Sequence, residues 1–264
     1  MAVNIFNRRE NKYPLDMRTF AALRKEITAR MDMDIYNANS DSYPILNIYY
    51  DTPNSDFIRA SVDKPAYKEK LRLRSYGTPD VDSIVYVEIK KKVRGIVNKR
   101  RSGMTLREAY QFLDGGATPG IHPDMNAQVL NEAAYILGRK PLKPALFLSY
   151  ERIAYFGERG LRVSFDTNIQ TRRYDLHLEY GAYGEPMLFP GEWLMEIKSA
   201  ENIPLWLSGL LAEYKVYPIS FSKYGEEYER SLTGAVVSGM NRIYFINQGP
   251  AVITSGAAVA VTGA

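Results

Sequence analysis

Residues 67–74 read Tyr-Lys-Glu-Lys-Leu-Arg-Leu-Arg, and residues 87–92 read Val-Glu-Ile-Lys-Lys-Lys. In an extended strand, side chains at i, i+2 and i+4 share a face. Lys70, Arg72 and Arg74 therefore stand on one side and Leu71 and Leu73 on the other; Glu88, Lys90 and Lys92 oppose Val87 and Ile89 in the same way. The pattern recurs near the N-terminus, where Arg8, Glu10 and Lys12 alternate, and late in the chain, where Glu196 and Lys198 alternate against Met195 and Ile197. The apolar faces must meet protein, and the charged faces must meet something else.

In an ordinary two-faced sheet the charged face meets water. A solvated face usually mixes signs and carries Ser, Thr and Gln, whereas neighbouring strands bearing Lys70, Arg72, Arg74, Lys90, Lys92, Lys99 and Arg101 place cation beside cation. That arrangement costs free energy unless a polyanion compensates. Arg supplies bidentate forks for phosphate oxygens and Lys supplies point charge. Closing such a sheet into a barrel of about eight strands removes its edges and leaves an interior able to hold one ligand. The acids on the same face, Glu10, Glu88 and Glu196, offer the hard oxygens that Mg²⁺ or Mn²⁺ needs. Salt bridges to their lysine neighbours are the alternative reading of each.

Outward from these strands, Met17, Phe20, Leu23, Ile27 and Met31 recur at helical spacing behind Asp16, a capping residue. Strand-like runs follow from residue 43 to 104. Thr105 and Glu108 form a capping box that opens a helix ending at Gly115 and Gly116, and a second helical pattern spans about 124–138. These two helices are an insertion at 105–138 between strand groups. Strand patterns resume in residues 144–157, 161–174, 174–181 and 193–200, then comes an amphipathic helix over 204–215 and a last strand, Ile219 to Gly225. Strands on both sides of a helical insertion, without βαβ rhythm, indicate an α+β fold with an antiparallel sheet. Residues 1–240 read as one domain and 241–264, uncharged after Arg242, as a flexible tail.

The 264 residues suffice for a substantial core. With no cysteine, disulfides, thiolate metal sites and Cys nucleophiles are excluded, and a reducing, cytoplasmic location is expected. No run reaches the roughly 18 apolar residues of a spanning helix. Net charge is only +4, so the distribution of charge says more than its sum. There is no Gly-x-x-x-x-Gly-Lys-Ser/Thr phosphate loop and no dinucleotide fingerprint, and the two histidines, His122 and His177, lie in polar or turn-like surroundings. The basic residues alternate with apolar ones inside strands and lack an exposed stacking platform, so nucleic acid is not expected as a partner. Tyr13, Tyr49, Tyr50 and Tyr67 offer rings on which a nucleotide base can stack, but core packing is the expected use and no base pocket is assigned.

Eight segments, in order, give a resemblance. They are Arg-Arg-Glu-Asn-Lys-Tyr (8–13), Ile-Tyr-Tyr-Asp-Thr-Pro (48–53), residues 67–74, residues 87–92, Asn-Lys-Arg-Arg (98–101), Leu-Arg-Val-Ser-Phe-Asp (161–166), Met-Glu-Ile-Lys (195–198) and Ser-Phe-Ser-Lys-Tyr (220–224). Together they resemble the VTC domain, the polyphosphate-polymerase module of vacuolar transporter chaperone complexes and bacterial relatives, one of the triphosphate tunnel metalloenzymes of the CYTH-like superfamily. The resemblance implies a closed tunnel of eight antiparallel strands with flanking helices. It also implies transfer of the γ-phosphate of ATP, or another nucleoside triphosphate, to inorganic polyphosphate with Mn²⁺ or Mg²⁺.

Carried over to this sequence, Lys12, Arg72, Arg74, Lys90 and Glu196 form the catalytic set. Arg8, Lys70, Lys99, Arg101, Arg152, Arg162, Lys198 and Lys223 bind phosphate. Glu196 holds the metal, with Glu10 and Glu88 as helpers. A triphosphate hydrolase in the same tunnel and a non-catalytic polyphosphate-binding module remain open. The last strand offers one lysine, Lys223, where some members carry a second basic residue. The flanking SPX and membrane domains of the eukaryotic complexes are not matched, and a membrane-protein partner is not legible in the sequence.

Overall fold

The alternation of the quoted stretches is realised as adjacent strands of one curved sheet. The computed structural model describes residues 9–37, 41–63, 65–94, 96–115 and 118–233. In chain order the elements are β1 (Arg9–Leu15), α1 (Met17–Thr28), β2 (Asp32–Met33), β3 (Tyr43–Asp51), α2 (Asp56–Asp63), β4 (Tyr67–Tyr76), β5 (Ile84–Val93), β6 (Ile96–Thr105), α3 (Leu106–Leu113), α4 (Ala127–Arg139), β7 (Lys143–Phe156), β8 (Arg162–Arg172), β9 (Glu185–Pro186), β10 (Trp193–Ser199), α5 (Leu205–Glu213) and α6 (Lys223–Thr233). The sheet has ten strands; its main path runs β1-β10-β8-β7-β3-β4-β5-β6, with β2 on β7 and β9 on β8. The pairings are antiparallel throughout.

The local signals act as expected at several points. The Asp16 side chain accepts from the Thr19 amide and starts α1, and Thr105 with Glu108 forms the full capping box of α3. Apolar outer faces are covered by helices. Leu46, Ile48, Leu71, Leu73, Val85, Val87 and Ile89 pack under α3 and α4. Tyr13, Leu15, Val163, Phe165, Met195 and Ile197 pack under α1 and α5, where Phe20 stacks on Trp193 with centroids 3.7 Å apart. Each such fully buried side chain contributes about 1.5–3 kcal/mol.

The expectation of a closed eight-stranded tunnel is corrected in one respect. The path has eight strands, but β1 and β6, its two ends, form no ladder among the described residues. The sheet nevertheless curls upon itself: Glu10 of β1 reaches Lys90 of β5, near the opposite end of the path, at 3.9 Å. A side-chain contact rather than a backbone ladder links β1 to β5.

Two expected strands are not strands. Residues 219–225 supply only one bridge, Ile219 to Lys12, and α6 begins at Lys223. Its Tyr224 hydroxyl donates to Asp51 Oδ2 at 3.1 Å. The same carboxylate accepts from the Phe57 and Ile58 amides and so starts α2. Residues 174–181 alternate like a strand yet form a loop, because the Arg172 guanidinium collects the carbonyls of Asp175, His177, Gly181 and Tyr183. Arg8 and the 241–264 tail lie outside the described residues.

Candidate functional site: the cationic inner face

Directly paired residues of an antiparallel ladder share a face, so register lays out the inner wall. Asn47, Arg74 and Tyr86 form one row across β3, β4 and β5. Tyr49, Arg72, Glu88 and Arg101 form the next, and Lys70, Lys90 and Lys99 a third. The opposite wall carries Glu10, Lys198 and Arg162 in one row and Lys12, Glu196 and Ser164 in another; Asp166 faces Arg152. On the same inner face Tyr43, Ile45, Leu148, Tyr150, Ile169 and Leu194 form an apolar wedge with Phe221 and Tyr224.

Each inner carboxylate gathers cations. Glu88, 1% exposed, lies 2.6 Å from Arg72 and 3.7 Å from Arg74 through Oε2, and 2.7 Å from Lys99 through Oε1. Asp166, fully buried, takes both arms of Arg152 at 2.7 and 2.8 Å and Lys223 Nζ at 2.6 Å. Glu196 lies 3.4 Å from Lys198 and 3.6 Å from Arg152. Glu10 lies 3.5 Å from Lys12 and 3.9 Å from both Lys90 and Lys198. Neutral groups complete the network: Arg72 donates to the Tyr49 hydroxyl at 2.9 Å, Arg74 to Asn47 Oδ1 at 2.8 Å and Tyr150 at 3.1 Å, and Lys12 to the Phe221 carbonyl at 2.8 Å.

The electrostatics follow from this crowding. Burial opposes ionisation of Glu88, but Arg74, Arg72 and Lys99 outweigh it and hold its carboxyl well below the usual range. Burial is likewise overcome at Asp166 by Arg152 and Lys223, and at Glu196 by charges that include Lys198 and Lys12. Cations exceed carboxylates, so some are left short of compensation. Burial together with Lys90, Lys12 and Lys68 draws Lys70 down to about 8; among the described residues it makes no ion pair, only a 3.5 Å contact with Ser222 Oγ and one over the Tyr224 ring. Burial pushes the Tyr49 phenol up, yet Arg72, Lys70 and Arg74 bring it to about 8.

The chain that builds this wall matches a described family, the VTC domain, over residues 7–232. The chain belongs to the VTC domain family. Subunit 4 of the vacuolar transporter chaperone complex of Schizosaccharomyces pombe is 24% identical over 83% of this chain. The match spans only about a third, 36%, of that relative. Among solved structures, a putative adenylate cyclase from Bacillus halodurans superposes with a TM-score of 0.50 at 15% identity, covering 83% of this chain and 94% of its own. A putative adenylyl cyclase from Hippeastrum, whose description reports a dominant triphosphatase activity, gives 0.47 at 16% identity over 86% of this chain and 96% of its own.

Against this VTC domain, the expected residues fall into groups. Lys12, Lys70, Arg72, Arg74, Lys90, Lys99, Arg152, Lys198 and Lys223 come together on or against the inner face. Arg101 and Arg162 stand further along it, Arg101 with Tyr76 at 3.4 Å and Arg162 with Asp34 at 3.2 Å. Of the three acids expected near a metal, Glu10 and Glu196 share Lys198, whereas Glu88 is engaged by cations on both oxygens. Among the described residues no three of Asp, Glu and His cluster as ligands. Two adjacent carboxylates still fit Mg²⁺, which is commonly held by one or two carboxylates plus phosphate oxygens.

The sequence reading missed Asp166, which lies inside a quoted segment; Tyr49 does pack, as expected, but its hydroxyl also accepts from Arg72, which was not foreseen. It also passed over Asn47 and Tyr150, which hold Arg74. His122 and His177 sit beside surface acids instead. No helix among the described residues is long and apolar enough to cross a membrane.

Proposed function

We propose that this VTC domain is a metal-dependent polyphosphate polymerase, moving the γ-phosphoryl group of ATP or another nucleoside triphosphate onto a growing polyphosphate chain along the inner face. The observation that carries the reading is the crowding of Lys12, Lys90, Lys198 and Arg152 around two neighbouring inner-face carboxylates, Glu10 and Glu196. Cation set beside cation costs free energy unless a polyanion compensates, and hard carboxylate oxygens among such cations suit a divalent metal that bridges phosphates. The relative named as a subunit of a vacuolar transporter chaperone complex supports the same reading. ATP as donor implies a cytoplasmic location.

Phosphoryl transfer asks chiefly for in-line positioning and for neutralisation of charge on the equatorial oxygens. In this reading Lys12, Arg72, Arg74 and Lys90 grip the reacting phosphates. Lys70, Lys99, Arg101, Arg152, Arg162, Lys198 and Lys223 extend the track for the rest of the polyanion. Glu196, assisted by Glu10, would hold Mn²⁺ or Mg²⁺, which supplies charge neutralisation across neighbouring phosphates. Glu88 organises Arg72, Arg74 and Lys99, and Asp166 organises Arg152 and Lys223. The acceptor is a phosphate oxygen, so no protein nucleophile is needed.

The test incubates purified protein with ATP and Mn²⁺ or Mg²⁺, with and without a short polyphosphate primer, and follows long chains and free phosphate. Chain growth abolished by Glu196→Ala and by Arg72→Ala is the expected result. Free phosphate without chains would move the reading to hydrolase, and tight polyphosphate binding without turnover to a binding module.

A further inference from the structure

One end of the inner face is aromatic, and the phosphate track does not use it. Tyr43 is the first residue of β3, Tyr76 the last of β4, and Tyr86 lies near the start of β5. In an antiparallel sheet these positions fall at the same end. Register puts all three on the inner face, since Tyr43 faces Arg152, Tyr76 faces Ile45 and Tyr86 faces Arg74. Tyr36, in the short 3-10 turn Ile35–Asn37, folds over this end and stacks on Tyr76, with centroids 5.1 Å apart and planes 7° from parallel.

The cluster is built rather than incidental. Tyr76 also meets Tyr86 edge-on at 5.8 Å and Tyr43 at 6.2 Å. The Arg101 guanidinium lies over the Tyr86 ring at 4.5 Å and donates to the Tyr76 hydroxyl at 3.4 Å. Tyr36 remains 49% exposed although one face is stacked, so aromatic surface is left to solvent. Tyr76 and Tyr86 are partly buried, Tyr76 packing against the core, whereas Tyr36 lies outside it and presents its second face to solvent at the mouth of the inner face.

We propose that this end is a nucleobase-stacking subsite. The base of a nucleoside triphosphate stacks on the open face of Tyr36, which Tyr76 backs, while its phosphates run inward to Arg74 and Arg152, which neighbour Tyr86 and Tyr43 in the ladders. Stacking takes any base, because every base has a π-face, and a purine gains more area than a pyrimidine. The inference rests on the reading of the inner face as a phosphate track, and it adds that donor and product are told apart here: a nucleotide has a base to stack and polyphosphate has none.

The test measures equilibrium binding of ATP and, separately, of inorganic tripolyphosphate to the full chain, for wild type, Tyr36→Ala, Tyr76→Leu and Tyr36→Phe. The expected result is a loss of ATP affinity of about fivefold or more in Tyr36→Ala and Tyr76→Leu, with tripolyphosphate affinity unchanged and Tyr36→Phe close to wild type. Tyr36 is half-exposed, so its alanine variant should fold, and unchanged tripolyphosphate binding reports that it has. ATP affinity unchanged in both variants would overturn the subsite while leaving the phosphate track standing. Equal losses for ATP and tripolyphosphate would overturn it too, by making the rings merely structural. Failure of wild type to bind tripolyphosphate would bring down the track and the subsite together.

Discussion

Glu88→Gln separates the two roles an inner carboxylate can have, metal ligand or organiser of cations. Glu88 is 1% exposed, with Arg72 at 2.6 Å, Lys99 at 2.7 Å and Arg74 at 3.7 Å. Removing one partner of a buried ion pair costs about 3–5 kcal/mol, because the remaining charge stays buried and uncompensated. The amide can still accept from Arg72, so the lower value, about 3 kcal/mol, is expected. For a chain of this size that lowers Tm by about 6–12 °C.

The freed cations should then bind phosphate better. A unit negative charge about 6 Å from a phosphate opposes it by about 3 kcal/mol at an effective dielectric of about 20; allowing for screening, tripolyphosphate affinity should rise about tenfold. Urea and thermal melts with and without tripolyphosphate give both quantities, and saturating ligand should narrow the stability gap. A variant that loses less than about 1 kcal/mol, or that binds tripolyphosphate more weakly, would refute the assignment of Glu88 to the cations.

Three further outcomes follow from the same network. The pKa values of Glu88, Asp166 and Glu196 are all depressed, so their stabilisation is present above the unfolded carboxylate range near about 4 and is lost as pH falls through the lower folded values. Acid unfolding followed by circular dichroism should therefore be steep below that range, and Glu88→Gln should flatten it. Tyr49 should ionise near pH 8, seen as tyrosinate absorbance at the alkaline edge of neutrality; Arg72→Ala and added tripolyphosphate should each shift that titration upward, and a titration near 10 in wild type would contradict the cationic crowding. Thr105→Ala removes the capping box of α3 and should cost about 1 kcal/mol in a urea melt while leaving tripolyphosphate binding unchanged.

How much of this was legible depended on range. The alternation in residues 67–74 and 87–92 gave β4 and β5 and their inner cations, because a period of two is local and the outer Leu, Val and Ile must be buried. Asp16 and the Thr105–Glu108 pair marked helix starts for the same reason. Asp166 escaped because its partners, Arg152 and Lys223, are distant in sequence and only the fold brings them together. The start of α6 was hidden by the strand-like alternation of residues 219–222, and α2 by a capping carboxylate, Asp51, that lies several residues ahead of it on another element. Whether β1 meets β6 is a property of the whole curl, which no stretch of residues encodes.

The strand that completes one wall, β1 at residues 9–15, finds its ladder partner only at residues 193–199. During synthesis Lys12 and Glu10 therefore leave the ribosome long before the segment that positions them exists. Pairings of such sequence separation are slow to form, since loop closure must precede any gain. Until β10 arrives, the nascent chain carries an open half-curl of cations in the presence of cellular polyanions. On the proposed reading, short polyphosphate should accelerate refolding by neutralising that surface, and an unchanged refolding rate would count against it.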